Sequence, residues 1–425
     1  MPRLAFKTLG CRLNQAETAQ MTASFEARGF TLVPHGDPCD VCVIHGCAVT
    51  RLAERQSLRE VRAAKRLPGH PFVVLAGCPA EMKDHAGLQD AGADLVVGQA
   101  GKARLAERVS HALGLDVPGE IREPRLPHFE GHRAWLKVQD GCDFRCAYCI
   151  VPDLRGPPVS RPMTEILREA EGLIEAGFPE LVLTGANLGL WQESGKTLPH
   201  LIERLAGLPG LGRIRLSSIE VSTVEREVIV CMAECPKVCA FLHLPLQSGD
   251  DRILAAMGRR YTAAQYRAIV EQAVARIPRL GLGTDVITGF PGEDDAAFAA
   301  TLALLEALPF SNIHPFPFSP RPGTRAAALP GAVPVAVRKA RVAALLALKS
   351  RHRAAFAQSF VGQEVEVLIE GKKGDSCAIG WTREYLEARV DGAPPPKSLV
   401  RIRVTGLFNR SGLLGRREEE ATHRS

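Results

Sequence analysis

The chain has 425 residues, of which 46% are hydrophobic and 24% are charged. This composition excludes a wholly disordered, a collagen-like and a membrane-embedded chain, and the length predicts two or three domains of about 100 to 200 residues each. The 53 Lys and Arg residues against 47 Asp and Glu residues give a net charge of +6, which suits a polyanionic partner but does not require one.

The N-terminal segment and the cysteine content predict the compartment. Residues 1–15 lack the long apolar core and the cleavage site of a secretion signal, and no stretch reaches the roughly 18 apolar residues that span a bilayer. We therefore expect a cytoplasmic protein without membrane contact. In that reducing compartment, the 12 cysteines favour metal or redox chemistry over disulfide bonds.

Residues 1–115 alternate short apolar runs with charged amphipathic segments, which predicts an N-terminal α/β domain with a parallel sheet. Three of these runs end in glycine followed by cysteine, at Cys11, Cys47 and Cys78. The carboxyl ends of parallel strands share one edge of a sheet, so these cysteines can converge, and the glycines allow close backbone approach. Two interpretations remain open at this point: three ligands of an iron-sulfur cluster, or three thiols packed in the sheet.

Residues 128–355 form the second predicted domain, after the polar, proline-containing stretch 122–133. Six apolar runs, from AWLKVQDGC to NIHPFPFSP, alternate with helix-like segments. This pattern predicts a whole or partial (β/α) barrel, whose chemistry would lie on the loops that follow the strands.

The loop after the first of these runs carries the strongest signal in the chain. Cys142, Cys146 and Cys149 follow a Cys-x3-Cys-x2-Cys spacing. Three thiolates on one loop can hold three irons of a 4Fe-4S cluster and leave the fourth iron open to another ligand. The alternative is three core cysteines that share this spacing by coincidence.

The remaining cysteines are interpreted as structural. Cys42 lies inside the apolar run VCVI, and Cys39 precedes it by three positions. A second group, spaced by four, contains Pro236, which interrupts the helix that would align its members; it comprises Cys231, Cys235 and Cys239. Cys377 is given no role.

Residues 358–420 read as short strands without helices, which predicts a small β-barrel. Basic residues can follow phosphates and aromatic residues can stack on bases, so this domain is a candidate RNA-binding module, and a solvated surface is the alternative. The residues concerned are Lys372, Lys373, Arg383, Arg389, Arg401, Arg403, Arg410, Arg416, Arg417, Trp381, Tyr385 and Phe408.

These motifs together resemble the radical S-adenosylmethionine methylthiotransferases over nearly the whole chain. The resemblance is carried by KTLGCRLNQAET, LAGCPA, QDGCDFRCAYCIVP, LTGANLG, HLPLQSGDDRILAAMGRRYT, TDVITGFPGE and FSPRPGT. It implies a second 4Fe-4S cluster on Cys11, Cys47 and Cys78, a radical domain around Cys142, Cys146 and Cys149, and a C-terminal RNA-binding TRAM domain.

Within that family, the motifs are similar to the branch that modifies N6-threonylcarbamoyladenosine beside the tRNA anticodon. The resemblance implies that the chain adds a methylthio group at carbon 2 of that base, with S-adenosylmethionine as cofactor. The alternatives are isopentenyl-adenosine in tRNA, a ribosomal-protein aspartate, another small-molecule or protein substrate, and a non-catalytic iron-sulfur protein that binds RNA. The implied partners are the tRNA anticodon stem-loop and an electron donor such as flavodoxin or ferredoxin.

Carbon 2 of adenine is unactivated, and a radical is needed to break its C–H bond. The resemblance implies that the Cys142, Cys146 and Cys149 cluster reduces S-adenosylmethionine and that the other cluster presents a methylated sulfur. Polar residues that follow predicted strands are candidate contacts for S-adenosylmethionine, although such residues are also common in turns. They are Thr184, Asn187, Ser217, Glu220, Gln247 and Asp285.

Arg155 and Arg161, just past the radical loop, are candidate partners for the carboxylate of threonylcarbamoyladenosine, with a solvated loop as the alternative. Two departures from the family pattern accompany them. Asp153-Leu154 and Pro157-Pro158 predict altered substrate contact, and His45 stands where Asn is common, which predicts different local hydrogen bonding.

Overall fold

The computed structural model describes residues 1–82, 88, 91–115, 126–127, 129, 131–224, 226–373 and 376–417. Residues 122–125, 128 and 130 of the predicted linker and residues 418–420 of the predicted third domain lie outside the described residues. Among the helices that are described, none has the length and apolar character needed to cross a membrane.

The N-terminal part is a five-stranded parallel sheet in the order β2-β1-β3-β4-β5. The central strand β3 is buried along its whole length, as expected for an apolar run covered on both faces. This confirms the predicted parallel α/β domain. The strands described there are β1 (Arg3–Thr8), β2 (Thr31–Leu32), β3 (Val41–Gly46), β4 (Phe72–Gly77) and β5 (Leu95–Val97), and the helices with described bounds are Arg12–Glu26, Arg51–Ala64 and Leu105–Ala112.

The described residues of the middle part contain ten strands. They are β6 (Ala134–Lys137), β7 (Gln139–Asp140), β8 (Val159–Ser160), β9 (Glu180–Thr184), β10 (Gln192–Glu193), β11 (Lys196–Thr197), β12 (Arg213–Leu216), β13 (Phe241–His243), β14 (Gly281–Thr288) and β15 (Asn312–Pro317). Its helices are Val151–Arg155, Met163–Glu175, Leu198–Ala206, Arg226–Glu234, Asp251–Met257, Ala263–Arg276 and Asp295–Ala307.

Six of these strands form the predicted partial barrel. Two parallel sheets, β12-β9-β6 and β13-β14-β15, are joined by a bridge between Ile214 and Val238. The six barrel strands coincide with the six apolar runs of the sequence, which confirms that part of the fold. The carboxyl ends of these strands and of β1, β3 and β4 supply the polar and cysteine residues considered below.

The C-terminal part is a closed five-stranded barrel in the order β16-β17-β18-β20-β19, as predicted. The long helix Val335–Gln358 precedes it and packs on β15 and β19. The strands are β16 (Glu364–Lys372), β17 (Cys377–Thr382), β18 (Glu387–Asp391), β19 (Leu399–Phe408) and β20 (Gly412–Arg417).

A buried ion cluster fixes this C-terminal barrel to the middle part. Arg213 and Arg215 of β12 both donate to the carboxylate of Glu180, and all three side chains are fully buried. The two guanidinium groups also donate to backbone carbonyl oxygens of Trp381 and Thr382 at 2.9 and 3.0 Å. The hairpin between β17 and β18 is therefore held against the middle part by charged hydrogen bonds that water does not reach.

Candidate active site: two cysteine triads at adjoining cavities

The three cysteines of the N-terminal sheet meet at its carboxyl edge. Cys11 is the N-cap of the helix Arg12–Glu26, Cys47 follows β3, and Cys78 begins a short 3-10 turn after β4. Gly10 has φ +98°, and a Cβ on it would lie 2.7 Å from Cys47 Cβ. A side chain at that position would therefore push the first two cysteine loops apart.

Positive charge lies beside this N-terminal triad. Burial raises the pKa of the Cys47 thiol to about 11, and the charge of Arg155 opposes that rise. Burial likewise raises the pKa of Cys78, opposed by Arg155 and Lys102. A neighbouring cation favours the thiolate, which is the metal-binding form of cysteine. Arg155 and Lys102 therefore favour an anionic group at the triad.

Those cations are held in place by one buried carboxylate. Glu17 lies 2.5 Å from Lys102 Nζ, 2.7 Å from Lys137 Nζ and 3.2 Å from Arg155 Nη1. Burial raises the pKa of Glu17, but these three cations together bring it well below its usual range. Lys137 and Arg155 belong to the middle part, so the network joins the N-terminal sheet to the middle part directly behind the cysteines.

His45 differs from the family pattern, and only one of its ring nitrogens is hydrogen-bonded within the described residues, since Nε2 is buried without a partner. Its Nδ1 lies 2.8 Å from Thr18 Oγ1. Complete burial, together with the charge of Lys102, lowers the pKa of His45 to about 3, so the ring is neutral near pH 7. Gly77, just before Cys78, packs on this ring, because a Cβ on it would lie 2.7 Å from His45 Cδ2.

The second triad lies on a single loop, Cys142–Cys149. Gly141 begins this loop with φ +69°, and a Cβ there would clash with the carbonyl oxygen of Pro157. In the middle of the loop, Ala147 donates to Met257 O at 2.7 Å and accepts from Ala326 N at 2.8 Å. Backbone contacts with distant segments therefore fix the conformation of the loop.

An arginine that the sequence analysis did not assign lies beside the second triad. Arg259 Nη1 is 3.4 Å from Cys146 Sγ and 3.3 Å from Tyr148 Oη, and its Nη2 forms an ion pair with Glu220. Burial raises the pKa of the Cys149 thiol to about 12, and Arg259 opposes that rise. Arg259 therefore resembles Arg155 in its electrostatic effect, at the other set of cysteines.

Two adjoining cavities contain most of the predicted site residues. The smaller, of about 260 Å³, is lined by Cys149, Tyr148, Gln247 and Asp285 among others. The larger, of about 750 Å³, is lined by all three N-terminal cysteines and by Thr184, Ser217 and Asp285. Val49, Asp285 and Phe316 line both cavities, so one ligand can reach from one into the other.

The two remaining predicted residues lie elsewhere at the site. Asn187 follows β9, and its side chain opposes the rise that burial causes in the pKa of the Cys142 thiol. The carboxylate of Glu220 forms an ion pair with Arg259. The six predicted contacts are therefore divided between the two cavities and the surroundings of the second triad.

Within the described residues, no group of three His, Cys, Asp or Glu side chains is arranged to hold a single metal ion. This does not conflict with an iron-sulfur cluster, because each cysteine of such a cluster binds a different iron and the thiols therefore lie further apart. Each triad offers three thiols on a cavity or loop with a cation beside them. This donor set fits a cluster with one open iron.

The larger cavity has polar residues that the sequence analysis missed: His243, Asn312 and His314. Asn312 and His314 are two positions apart in β15 and thus share a face of the strand, which is a signal that the sequence contains. His243 ends β13, where a polar residue after an apolar run also points to the site.

Tyr385 of the C-terminal barrel also lines this cavity. Its hydroxyl accepts from Arg12 Nη2 at 2.7 Å, and Trp381 stacks on it with a centroid distance of 4.9 Å. Arg383 donates to the backbone oxygens of Pro236 and Val238. Three members of the predicted RNA-binding set therefore make contacts inside the protein.

The other basic members lie on the outer surface of the barrel, apart from Arg389, which covers the ring of Phe408 at 3.9 Å. Two of the exposed arginines pair with acidic residues, Arg403 with Glu364 and Arg416 with Asp391. The exposed group comprises Lys372, Lys373, Arg401, Arg403, Arg410, Arg416 and Arg417.

Comparison with known families assigns the two cysteine-bearing parts separately. Residues 136–305 match the Radical SAM superfamily, and residues 3–98 match the uncharacterized protein family UPF0004. The second triad falls in the first match, and the N-terminal triad falls in the second.

Curated relatives match almost the whole chain. Two proteins from strains of Cereibacter sphaeroides, each named tRNA-2-methylthio-N(6)-dimethylallyladenosine synthase, are 35% identical over 418 and 419 residues. Each match covers 95% of this chain and 96% of the relative.

Solved structures share the fold at low identity. The radical S-adenosylmethionine methyltransferase TsrM from Kitasatospora setae, with cobalamin and a 4Fe-4S cluster bound, gives a TM-score of 0.58 at 16% identity and covers 77% of each chain. The cobalamin-dependent radical enzyme OxsB, with aqua-cobalamin and S-adenosylmethionine bound, gives 0.53 at 12% identity and covers 82% of this chain and 56% of that one.

The relatives correct the predicted substrate. The prediction of N6-threonylcarbamoyladenosine is wrong, because the relatives are named for the dimethylallyl base, which was the alternative. The proposed carboxylate partners are also occupied in the structure. Arg155 is bound to Glu17, Asp140 and Asn14, and Arg161 is bound to Lys137 O and Glu169.

Proposed function

Because this chain belongs to the radical S-adenosylmethionine methylthiotransferases, we propose that it converts N6-dimethylallyladenosine in tRNA to the 2-methylthio derivative. The protein is a tRNA methylthiotransferase that uses S-adenosylmethionine and two 4Fe-4S clusters. The substrate assignment rests on one observation, the 35% identity over 95% of the chain to enzymes named for this product.

Cys142, Cys146 and Cys149 would hold the cluster that binds S-adenosylmethionine, and Cys11, Cys47 and Cys78 would hold the second cluster. When bound, these groups supply a carbon-centred radical and a methylated sulfur. The protein positions them and excludes water, as in other cofactor enzymes. The adjoining cavities support this division, because each is lined by cysteine from a different triad.

Gln247, Asp285 and Asn187 are the predicted contacts that we propose for S-adenosylmethionine. Gln247 and Asp285 line the smaller cavity together with Cys149, and Asn187 lies beside Cys142. Arg259 would orient Tyr148 and Cys146 and keep a positive charge beside the cluster. Its own orientation is set by Glu220.

Apolar side chains at the junction of the cavities support a dimethylallyl substituent. Val49 and Phe316 are 42% and 47% exposed, and both line the two cavities. Large exposed apolar side chains at a concave site commonly mark a binding surface for an apolar group. The substituent would cover them while the purine ring occupies the larger cavity.

We place the modified base beside the anticodon, because loop bases can leave the stack and enter a cavity. Exposed basic residues on β19 and β20 support tRNA binding by the outer face of the C-terminal barrel. A flavodoxin or ferredoxin would reduce the cluster at the loop 142–149. Arg145 of this loop is 76% exposed on its side chain, and an acidic donor would compete with Asp153, 3.8 Å away, for its charge.

Nucleoside mass spectrometry of tRNA tests the proposed function. Cells that lack the gene should lose 2-methylthio-N6-dimethylallyladenosine and accumulate N6-dimethylallyladenosine, and the intact gene should restore the product. A product level that does not change on deletion would refute the proposal.

A further inference from the structure

Three buried polar atoms in the larger cavity have no hydrogen-bond partner among the described residues. They are Ser217 Oγ, His243 Nε2 and Asn312 Oδ1. Their side chains belong to residues that are 7%, 8% and 9% exposed. Ser217 follows β12, His243 ends β13 and Asn312 begins β15. All three residues line the larger cavity.

Buried polar atoms are nearly always hydrogen-bonded, because burial without a partner is unfavourable. Among the described residues, nine other buried side-chain atoms also lack a partner, so a single such atom indicates little. Three in one cavity indicate a polar ligand that supplies the missing partners when it binds.

The chemistry of the missing partner is clearest at Asn312. Its Nδ2 lies 2.9 Å from His314 Nε2. Burial and the neighbouring His243 lower the pKa of His314 to about 4, so the ring is neutral near pH 7 and its Nε2 can accept from the amide. The amide oxygen of Asn312 then remains as an acceptor that requires an N–H donor.

The other two atoms face the same space with different capacities. The Ser217 hydroxyl can donate or accept. His243 Nε2 is 3.1 Å from Asp285 Oδ1 but lacks hydrogen-bond geometry to it, so an N–H at Nε2 can be donated to a ligand. Together the three side chains offer one acceptor and two donors.

We propose that Asn312, His243 and Ser217 form the subsite that binds the purine ring of the N6-substituted adenosine. Asn312 Oδ1 accepts the single N–H that remains on N6 after substitution, and His243 and Ser217 donate to ring nitrogens. This inference rests on the proposed function. The subsite lies in the cavity of the N-terminal cysteines, which is where carbon 2 must receive sulfur.

Two anticodon stem-loop RNAs test the subsite. One carries N6-dimethylallyladenosine, and the other carries N6-methyl-N6-dimethylallyladenosine, which has no N6–H. The cluster-loaded protein should bind the first RNA about tenfold or more tightly, because the second leaves Asn312 Oδ1 without a partner. Asn312→Leu should lose this preference, and the matched control Gln358→Leu, which removes an amide from a distant helix, should keep it.

Ser217→Ala provides a second variant in case Asn312→Leu folds poorly. It should weaken binding of both RNAs about fivefold and leave the N6–H preference unchanged. Equal affinity of the wild-type protein for the two RNAs would overturn the subsite. So would a persistent preference in Asn312→Leu, or a loss of S-adenosylmethionine binding by either variant in the absence of RNA.

These outcomes separate the subsite from the proposed function. If the protein binds the first RNA preferentially but never adds a methylthio group to it, the proposed function fails and the subsite stands. If it adds the group to both RNAs and Asn312→Leu behaves as wild type, the subsite fails and the proposed function stands.

Discussion

The two cysteine triads are chemically alike but are assembled in different ways. Cys142, Cys146 and Cys149 lie on one loop, and their spacing is visible in the sequence. Cys11, Cys47 and Cys78 are 36 and 31 residues apart and meet only because β1, β3 and β4 are neighbours in a parallel sheet. The first triad is thus a local feature of the chain, and the second is a product of the tertiary fold.

The charges around the triads differ in the same way. Beside the radical loop, Arg259 pairs with Glu220 and also donates to Tyr148, Tyr261 and Pro245, all of which belong to the middle part. Beside the N-terminal triad, Glu17 holds cations from both the N-terminal and the middle parts. We therefore expect the N-terminal triad to be more sensitive to changes at the interface between these parts.

The largest expected effect follows from removal of the radical triad. Replacement of Cys142, Cys146 and Cys149 by Ala should abolish cleavage of S-adenosylmethionine and formation of product, and the iron content of reconstituted protein should fall by half. Iron analysis and chromatography of 5′-deoxyadenosine measure this. Cys377→Ala, a half-buried thiol in β17, is the control and should keep all of the iron.

Removal of the N-terminal triad should separate the two activities. Replacement of Cys11, Cys47 and Cys78 by Ala should also halve the iron content and abolish thiolation, but it should leave reductive cleavage of S-adenosylmethionine in place. Retention of thiolated product in this variant would show that the two triads do not divide the reaction as proposed.

A smaller effect is expected from Glu17→Gln. Lys102 would lose its carboxylate partner, whereas Lys137 and Arg155 would keep Asp140. Loss of one partner of a buried ion pair destabilises a protein by about 3 to 5 kcal/mol. Thermal unfolding measures the loss. Glu107→Gln removes a solvent-exposed carboxylate paired with Arg104 and should change stability little.

The pH dependence of the same variant sharpens this test. The folded-state pKa of Glu17 lies well below that of the unfolded chain, so its contribution is present above about pH 4.3 and is lost as pH falls through the lower folded value. The difference in stability between wild type and Glu17→Gln should therefore shrink on acidification. A constant difference down to low pH would contradict the ionised network.

The smallest effect is expected from Tyr385→Phe. This change removes the hydroxyl that accepts from Arg12 but keeps the ring that stacks on Trp381. Because Arg12 follows Cys11, thiolation should fall a few-fold while cleavage of S-adenosylmethionine stays at the wild-type rate. Trp381→Phe, which keeps an aromatic ring in the stack, should retain thiolation, and equal losses in both activities would argue against a role specific to the N-terminal triad.

Much of the fold followed from the sequence, because the six apolar runs of the barrel are separated by helices of ordinary length. The radical triad was likewise predicted, from its Cys-x3-Cys-x2-Cys spacing. The Glu17 network was not, since its members come from positions 17, 102, 137 and 155 and carry no local pattern. The inward position of Tyr385 was also missed, because an aromatic residue beside arginines in a β-barrel suggests an RNA surface until packing shows otherwise.

The substrate branch was predicted wrongly for a related reason. Short motifs around the cysteines reflect chemistry that the family members share, whereas the base is recognised by scattered residues. Asn312 and His314 lie in a strand that the sequence analysis identified only as an apolar run. Arg155, which was expected to bind a substrate carboxylate, is instead saturated by Glu17, Asp140 and Asn14.

The hydrogen bond between Arg12 and Tyr385 joins positions 373 residues apart, and this has a consequence for biosynthesis. A chain emerges from the ribosome N-terminal end first. The segment after β1 can therefore make its contact with Tyr385 only when almost the entire polypeptide has been synthesised. The radical loop reaches no further than Ala326 for the backbone contacts that clamp it. During synthesis the loop 142–149 is therefore fixed first, and the cavity lined by the N-terminal cysteines is completed last, by the hairpin between β17 and β18.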